Sequence, residues 1–378
     1  MIKLLCVAGA RPNFPKIAPL MRALDRNPRF ETKLIHTGQH YDDALSKVFF
    51  EDLKIPRPDL DLGVGSASHA VQTAEIMKRF EEVLQDEQPH AVLVVGDVNS
   101  TIACALVSSK FFREEAFRFR DDERQRPVMI HVEAGLRSFD DDMPEEINRR
   151  LTDEISELLF VTDPAGLENL KKEGVGDERI HFVGNVMIDT LMAARDQAMS
   201  SDVLERISME EKSFALLTLH RPSNVDDPQK LRGILEALDE IAKDTPIVFP
   251  VHPRTKPRLA ETGFELDERR WKLTPPIGYL DFLKLEATAK LVLTDSGGIQ
   301  EETTVLGIPC LTLRENTERP VTIVEGTNVL ARTERETILA AYEELKQNPK
   351  DGRIPRFWDG KAAERIGDVL EKVFPAGE

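Results

Sequence analysis

Arginine, histidine or a carboxylate, set among small residues, follows nearly every short apolar run of this 378-residue sequence. Gly9-Ala10-Arg11-Pro12-Asn13 follows the first run and Gly38-Gln39-His40 the second, with Gly96-Asp97-Val98-Asn99-Ser100 and Glu133-Ala134-Gly135-Leu136-Arg137 further on. In the second half His220-Arg221, His252-Pro253-Arg254 and Asp295-Ser296-Gly297-Gly298 stand in the same relation to their runs. Asp97 and Glu133 each end an apolar run directly, where a carboxylate costs desolvation unless it is paired or functional. With Glu145, Lys16, Arg137 and Arg149 they make a candidate acid–base group. The plain alternatives are an exposed i,i+4 pair between Glu145 and Arg149, worth ~0.3–0.5 kcal/mol, and a Lys16 that merely covers a helix face.

A second chemistry is suggested by Ser296-Gly297-Gly298, which follows the run LVLTD and opens a helix. Free backbone amides and the positive end of the helix dipole make such a turn a phosphate cradle, with a simple tight turn as the alternative. Arg11, His220, Arg221 and Arg319 are its candidate cationic partners. Glu302 lies one turn further along the helix. A phosphate would repel it, so a ligand role means accepting hydrogen bonds from ribose hydroxyls beside a diphosphate. Glu301 suits the blander task of complementing the helix dipole, worth ~0.3–1 kcal/mol. Phe282 is a candidate wall for a base, or else ordinary helix core.

Strand ends must present these groups, and the sequence supplies the strands. The runs 2–8, 33–37, 91–96, 128–132, 158–162 and 180–183 precede Gly184, and 215–219, 247–251, 290–294 and 310–313 follow it. Continuous apolar runs of this length mark strands buried on both faces, and their alternation with amphipathic helices marks parallel α/β architecture. A domain boundary is expected between Val186 and Ser213, separating two Rossmann-like halves, each around its own sheet; ligands in such sheets bind outside the carboxyl ends of the strands.

Composition narrows the partners. Asp and Glu number 67 against 50 Lys and Arg, a net charge of −17 that argues against binding nucleic acid or an anionic membrane surface. The hydrophobic fraction of 41% and charged fraction of 31% are those of a globular chain, without a tract that suggests disorder. Cys6, Cys104 and Cys310 lie far apart in apolar settings, which reads as buried reduced thiols without metal spacing. With no signal-like start and no apolar stretch of ~20 residues, a cytoplasmic location is expected. Gly63-Val64-Gly65-Ser66-Ala67-Ser68 lacks the third glycine of a dinucleotide fingerprint, and no Walker A pattern occurs, so no cofactor or metal is expected.

The stretches GARPNFPKIAPL, TGQHYD, VVGDVNSTIACAL, HVEAGLRS, MPEEINRRLTD, VGNVMIDTL, LTLHRPSN and DSGGIQEETTVLGIPCLTLRENTERP carry a resemblance that covers essentially the whole chain. The sequence closely resembles the non-hydrolysing UDP-N-acetylglucosamine 2-epimerases. That resemblance implies a GT-B-type fold of two Rossmann-like domains with the ligand cleft between them. The domains would be residues 1–185, with a C-terminal helix at 362–378 packing back on them, and residues 186–361. It also implies a homodimer. Asp97, Glu133 and Glu145 fall on the family's catalytic carboxylates, with Lys16, Arg149 and His220 beside them. Arg11, Phe282, Ser296, Gly297, Gly298, Glu302 and Arg319 fall on its UDP-sugar contacts. Asn13 departs from the glutamate that many members carry after Arg-Pro.

The implied chemistry is consistent with such a site. The C2 proton of the sugar neighbours an acetal carbon, so a carboxylate cannot remove it until UDP begins to leave C1. Elimination then gives a glycal, and re-addition of UDP after protonation on the opposite face inverts C2. Rival readings are a hydrolysing 2-epimerase, a 2-epimerase of a modified UDP-acetamido sugar, a GT-B glycosyltransferase and a non-catalytic nucleotide-sugar sensor.

Overall fold

A computed structural model describes residues 1–38, 52–53, 55–253 and 255–375; the side chain of Arg11, along with His40 and Arg254, lies outside what it describes. The chain divides into two compact units, Met1–Thr190 with Arg356–Glu378, and Leu191–Pro355. The first division falls inside the helix Val186–Met199.

The first unit is built on β1 (Ile2–Ala8), β2 (Phe30–His36), β3 (Leu60–Asp61), β4 (Ala91–Val95), β7 (Val128–Ala134), β8 (Leu158–Val161) and β9 (Ile180–Phe182), with β5 (Phe117–Phe119) and β6 (Asp122–Arg124) forming a separate antiparallel hairpin. Its sheet is parallel throughout, in the order β3-β2-β1-β4-β7-β8-β9. The second unit holds β10 (Ala215–Thr218), β11 (Ile247–Pro250), β12 (Trp271–Thr274), β13 (Leu291–Thr294), β14 (Cys310–Thr312) and β15 (Asn328–Leu330), also all parallel, in the order β12-β11-β10-β13-β14-β15. Both orders reverse direction once, between β1 and β4 and between β10 and β13. The crevice outside the strand ends at such a switch point is where open α/β sheets take ligands.

Every apolar run read as a strand contains one, with ends shifted by a few residues at some. The sequence reading missed β3, the β5–β6 hairpin, β12 and β15. These are short, and Leu60–Asp61, Trp271–Thr274 and Asn328–Leu330 lie at sheet edges, where one side needs no apolar run.

The helix Ala362–Val373 packs on the helix Phe14–Leu24 in the first unit. Its own N-cap residue, Lys361, makes no side-chain cap. Asp189 does this from the far side of the second unit in sequence, Oδ1 accepting from the Ala362 amide at 3.0 Å and Oδ2 from the Ala363 amide at 2.7 Å. Asp189→Ala should therefore lower stability by about 0.5–2 kcal/mol, the range for a lost N-cap, as read from urea melts. Burial pushes the Asp189 carboxyl up to about 6 despite these two amides. A raised native pKa contributes stability below the unfolded value and loses it as pH rises through the native one. Asp189→Asn, which keeps an acceptor and cannot ionise, should thus gain on wild type as pH rises through about 6.

Candidate functional site

In the first unit the loop after β1 turns through a short 3-10 segment, Arg11–Asn13, into the helix Phe14–Leu24, whose first turn carries Pro15. Asn13 is buried and acts as a latch. Its Oδ1 accepts from the amides of Gly9 and Ala10, both at 2.9 Å, and its Nδ2 donates to the Val95 carbonyl at 3.2 Å. The residue after Arg-Pro is therefore occupied here in tying the end of β1 to the end of β4.

Lys16, in the first turn of that helix, is buried and ion-paired with Glu133. It does not merely cover a helix face. Gly96 has φ +67°, and a Cβ there would meet the Lys16 ammonium at 3.0 Å, so glycine both permits the turn and leaves room for the cation. Glu133 itself has φ +74°, at a register shift between Val132 and Ala134 where β7 pairs with β8. A bulge of this kind re-aims a side chain that a regular strand would send elsewhere.

Asp97 accepts from Arg149 Nη2 at 2.5 Å, and Arg149 Nη1 reaches Glu146 Oε2 at 2.6 Å. The expected i,i+4 partner of Arg149, Glu145, is replaced by Glu146 at i,i+3 and by Asp97 from another strand end. Glu145 stands half-buried in the first turn of the same helix, Pro144–Ile155. Glu146 also accepts from the amide and hydroxyl of Ser138, both at 2.9 Å, which fixes the loop after β7.

Arg137, which the sequence placed with the carboxylates, instead donates to Asp153 at 2.7 Å and to Glu173. It serves the frame beneath the site. Asp153 accepts from Arg137, from the Gly135 amide at 3.1 Å and from His131 Nδ1 at 2.7 Å, while His131 Nε2 reaches the Gly96 carbonyl at 2.8 Å. One buried carboxylate thus ties the loops that carry Asp97 and Glu133. Burial raises its pKa, but His131 and Arg137 outweigh that and hold it below the usual carboxylate range.

In the second unit Asp295, wholly buried just past β13, accepts from the amides of His220 and Arg221 at 2.9 and 2.8 Å and from His220 Nδ1 at 2.9 Å. Burial would raise this carboxyl, yet His220 and the two amides hold it low. His220 is fixed at the switch point between β10 and β13 in this way. Ser296 is the N-cap of the helix Gly297–Leu306, with Ser296, Gly297 and Gly298 all partly exposed. A Cβ at Gly297 would meet the guanidinium carbon of Arg319 at 2.9 Å, so the bare glycine lets that cation lie against the turn.

Arg319 donates through Nε to Glu301 at 2.6 Å and pairs with Glu318, which also takes Arg314 at 2.6 Å and Arg221 at 3.6 Å. Glu301 is therefore a buried ion-pair partner rather than a solvated complement to the helix dipole. Burial lifts the Glu318 carboxyl, but Arg319, Arg314 and Arg221 hold it well below its ordinary range. Three guanidinium groups, Arg221, Arg314 and Arg319, thus gather with the carboxylates Glu301 and Glu318 beside the Ser296–Gly298 turn, whose helix N-terminus suits an anion.

Phe282 lies in the helix Tyr279–Thr288 and packs, half-buried, against the core formed by Val203, Leu285, Val292 and Ile308. That is the helix-core placement. Glu302 is buried, and Tyr279 donates its hydroxyl to Glu302 Oε1 at 2.8 Å. Sequence reasoning missed His131, Asp153, Arg314, Glu318 and Tyr279, and it named Asp295 at the end of its apolar run without giving it a role. Among the described residues no group of three His, Cys, Asp or Glu side chains has the geometry to hold a metal ion, and no helix is long and apolar enough to cross a membrane.

Residues 22–371 match the family model described as UDP-N-acetylglucosamine 2-epimerase. The chain belongs to that epimerase family. A UDP-N-acetylglucosamine 2-epimerase of Methanocaldococcus jannaschii is 41% identical, with 98% of this chain and 99% of that protein covered. A UDP-2,3-diacetamido-2,3-dideoxy-D-glucuronate 2-epimerase of Pseudomonas aeruginosa is 39% identical, with 98% of this chain and 100% of that protein covered. The crystal structure of the Methanocaldococcus jannaschii UDP-GlcNAc 2-epimerase in complex with UDP-GlcNAc and UDP superposes with a TM-score of 0.88 at 40% identity, covering 98% of this chain and 99% of that one. The epimerase family's GT-B-like pair of Rossmann-like domains is the fold of this chain.

Proposed function

We propose that the protein reversibly inverts C2 of UDP-N-acetylglucosamine, giving UDP-N-acetylmannosamine, without releasing free sugar. The observation that carries this is the pair Asp97 and Glu133. Each stands at the carboxyl end of a parallel strand and each is ion-paired with a buried cation, Arg149 and Lys16 respectively. A carboxylate paired in this way can act as a base or as an electrostatic partner to a cationic sugar.

The Ser296–Gly298 amides, with Arg319 against them, receive the diphosphate, and Glu302 takes the ribose. As the C1–O bond breaks, its electrons leave with the phosphate, and the oxocarbenium character at C1 makes the C2 proton removable. A base takes that proton, the C2–H electron pair becomes the C1=C2 bond of a glycal, and protonation from the other face followed by recapture of UDP restores the nucleotide sugar. Asp97, Glu133 and Glu145 share the proton transfers and the stabilisation of positive charge. Arg149 and Lys16 keep the first two in place, and His220 and Arg11 act on the leaving diphosphate. Neither a nicotinamide nor a metal enters these steps.

The 39% identity to the diacetamido-glucuronate epimerase supports a second substrate reading with the same chemistry. Incubation with each UDP-sugar in deuterated water, followed by proton NMR, tests both. Deuterium should enter C2 of substrate and product alike, and the sugar that turns over faster names the substrate. Retention of the C2 proton through many turnovers would exclude elimination, while stoichiometric free UDP would turn the reading to the hydrolysing reaction.

A further inference from the structure

The helix Tyr279–Thr288 sends a second glutamate toward Glu302. Glu286 is 0% exposed and Glu302 2% exposed, on neighbouring helices of the second unit. Taken as a carboxylate, Glu286 has no hydrogen-bond partner at either oxygen among the described residues. The Glu302 carboxyl faces it, placed for a side-chain hydrogen bond. Two carboxylates both accept and neither donates, so that bond exists only if one of them carries a hydrogen. A buried ionised carboxyl without a donor is too costly to persist.

We propose that Glu286 is a resident carboxylic acid whose O–H, together with the Tyr279 hydroxyl, holds the Glu302 carboxylate in the orientation that receives a ribose. The inference rests on the reading of Glu302 as the ribose acceptor. The proton sits on Glu286 because Glu302 already accepts from Tyr279, at 2.8 Å, and so is the better stabilised anion. Among the described residues the titratable groups that act on the pair are Tyr279, Glu301 and Cys310, none of them a cation. Burial and the neighbouring Glu302 push Glu286 well above the usual carboxylate range. Burial also raises Glu302, to about 7, with Tyr279 and Glu286 pulling against it. Nucleotide binding should accordingly weaken as pH falls through about 7, when Glu302 itself gains a proton and becomes a poorer acceptor. Glu286 is a positioning residue in this scheme and touches no ligand.

Infrared difference spectra and UDP calorimetry on wild type, Glu286→Gln and Glu286→Leu, between about pH 6 and 9, test it. Wild type should show a carboxylic-acid carbonyl band at neutral pH that both variants lack. Glu286→Gln, whose amide still donates, should bind UDP within about threefold of wild type, and Glu286→Leu should lose about tenfold. In the leucine variant the pH at which binding weakens should move upward, because a donor to Glu302 is gone. Equal losses in both variants would mean that Glu286 only fills space and would overturn the proposal, as would an absent acid band or an unchanged leucine variant. A wild-type protein that shows the band and does not bind UDP would overturn the nucleotide reading, and the orienting role with it.

Discussion

Asp97→Asn and Glu133→Gln should each lower kcat by about 100-fold or more, with UDP affinity nearly unchanged. Each substitution keeps the shape and removes the charge. Asp97 and Glu133 answer directly to Arg149 and Lys16, so neutralising either takes the charge out of a buried ion pair, though Arg149 keeps Glu146, and removes a group able to move a proton or stabilise a cationic sugar. The proposed diphosphate turn Ser296–Gly298 and its neighbour Arg319 belong to the second unit, which is why affinity for UDP should be largely spared. Steady-state rates for conversion of UDP-N-acetylglucosamine, paired with calorimetric titration of UDP, separate the two quantities. Near-normal turnover in both variants would reduce these residues to structural ion pairs.

Glu302→Ala should weaken nucleotide binding by about 10- to 150-fold, the loss of hydrogen bonds to an ionised acceptor worth about 1.5–3 kcal/mol. Glu302 stands one helical turn past the Ser296–Gly298 turn, the spacing on which the proposed ribose contact rests. The penalty should appear mainly in KM. Wild type should lose affinity when UDP is replaced by 2′,3′-dideoxy-UDP, and the alanine variant should not. Equal losses in both proteins would reject the ribose contact. Unchanged KM with collapsed turnover would move Glu302 among the groups that do chemistry.

The central strands could be read directly because parallel strands buried on both faces must be apolar throughout, and LLCVA, AVLVV and LVLT announce themselves. Turn residues after them could be read for the same reason, since nothing but function or pairing keeps charge at such a place. Partner choice was a different matter. Arg149 has Glu145 and Glu146 at helical spacings, and only the register of β4 against β7 brings Asp97 to it. Glu301 and Glu302 look alike in sequence, yet one answers to Arg319 and the other to Tyr279, because consecutive residues on a helix point about 100° apart. Glu286, in DFLKLEATAK, reads as an ordinary charge on an amphipathic helix. Its burial follows from the packing of two helices against each other, which periodicity alone does not encode.

The second unit is one continuous stretch of chain, whereas the first closes only with Arg356–Glu378, whose helix is capped by Asp189. A polypeptide leaving the ribosome therefore meets its folding problems out of order. Strands β1 to β9 precede the second unit in the chain, so the face of the Phe14–Leu24 helix stays uncovered until the second unit has been made. The half that carries Asp97 and Glu133 is thus completed only after the second unit has been made.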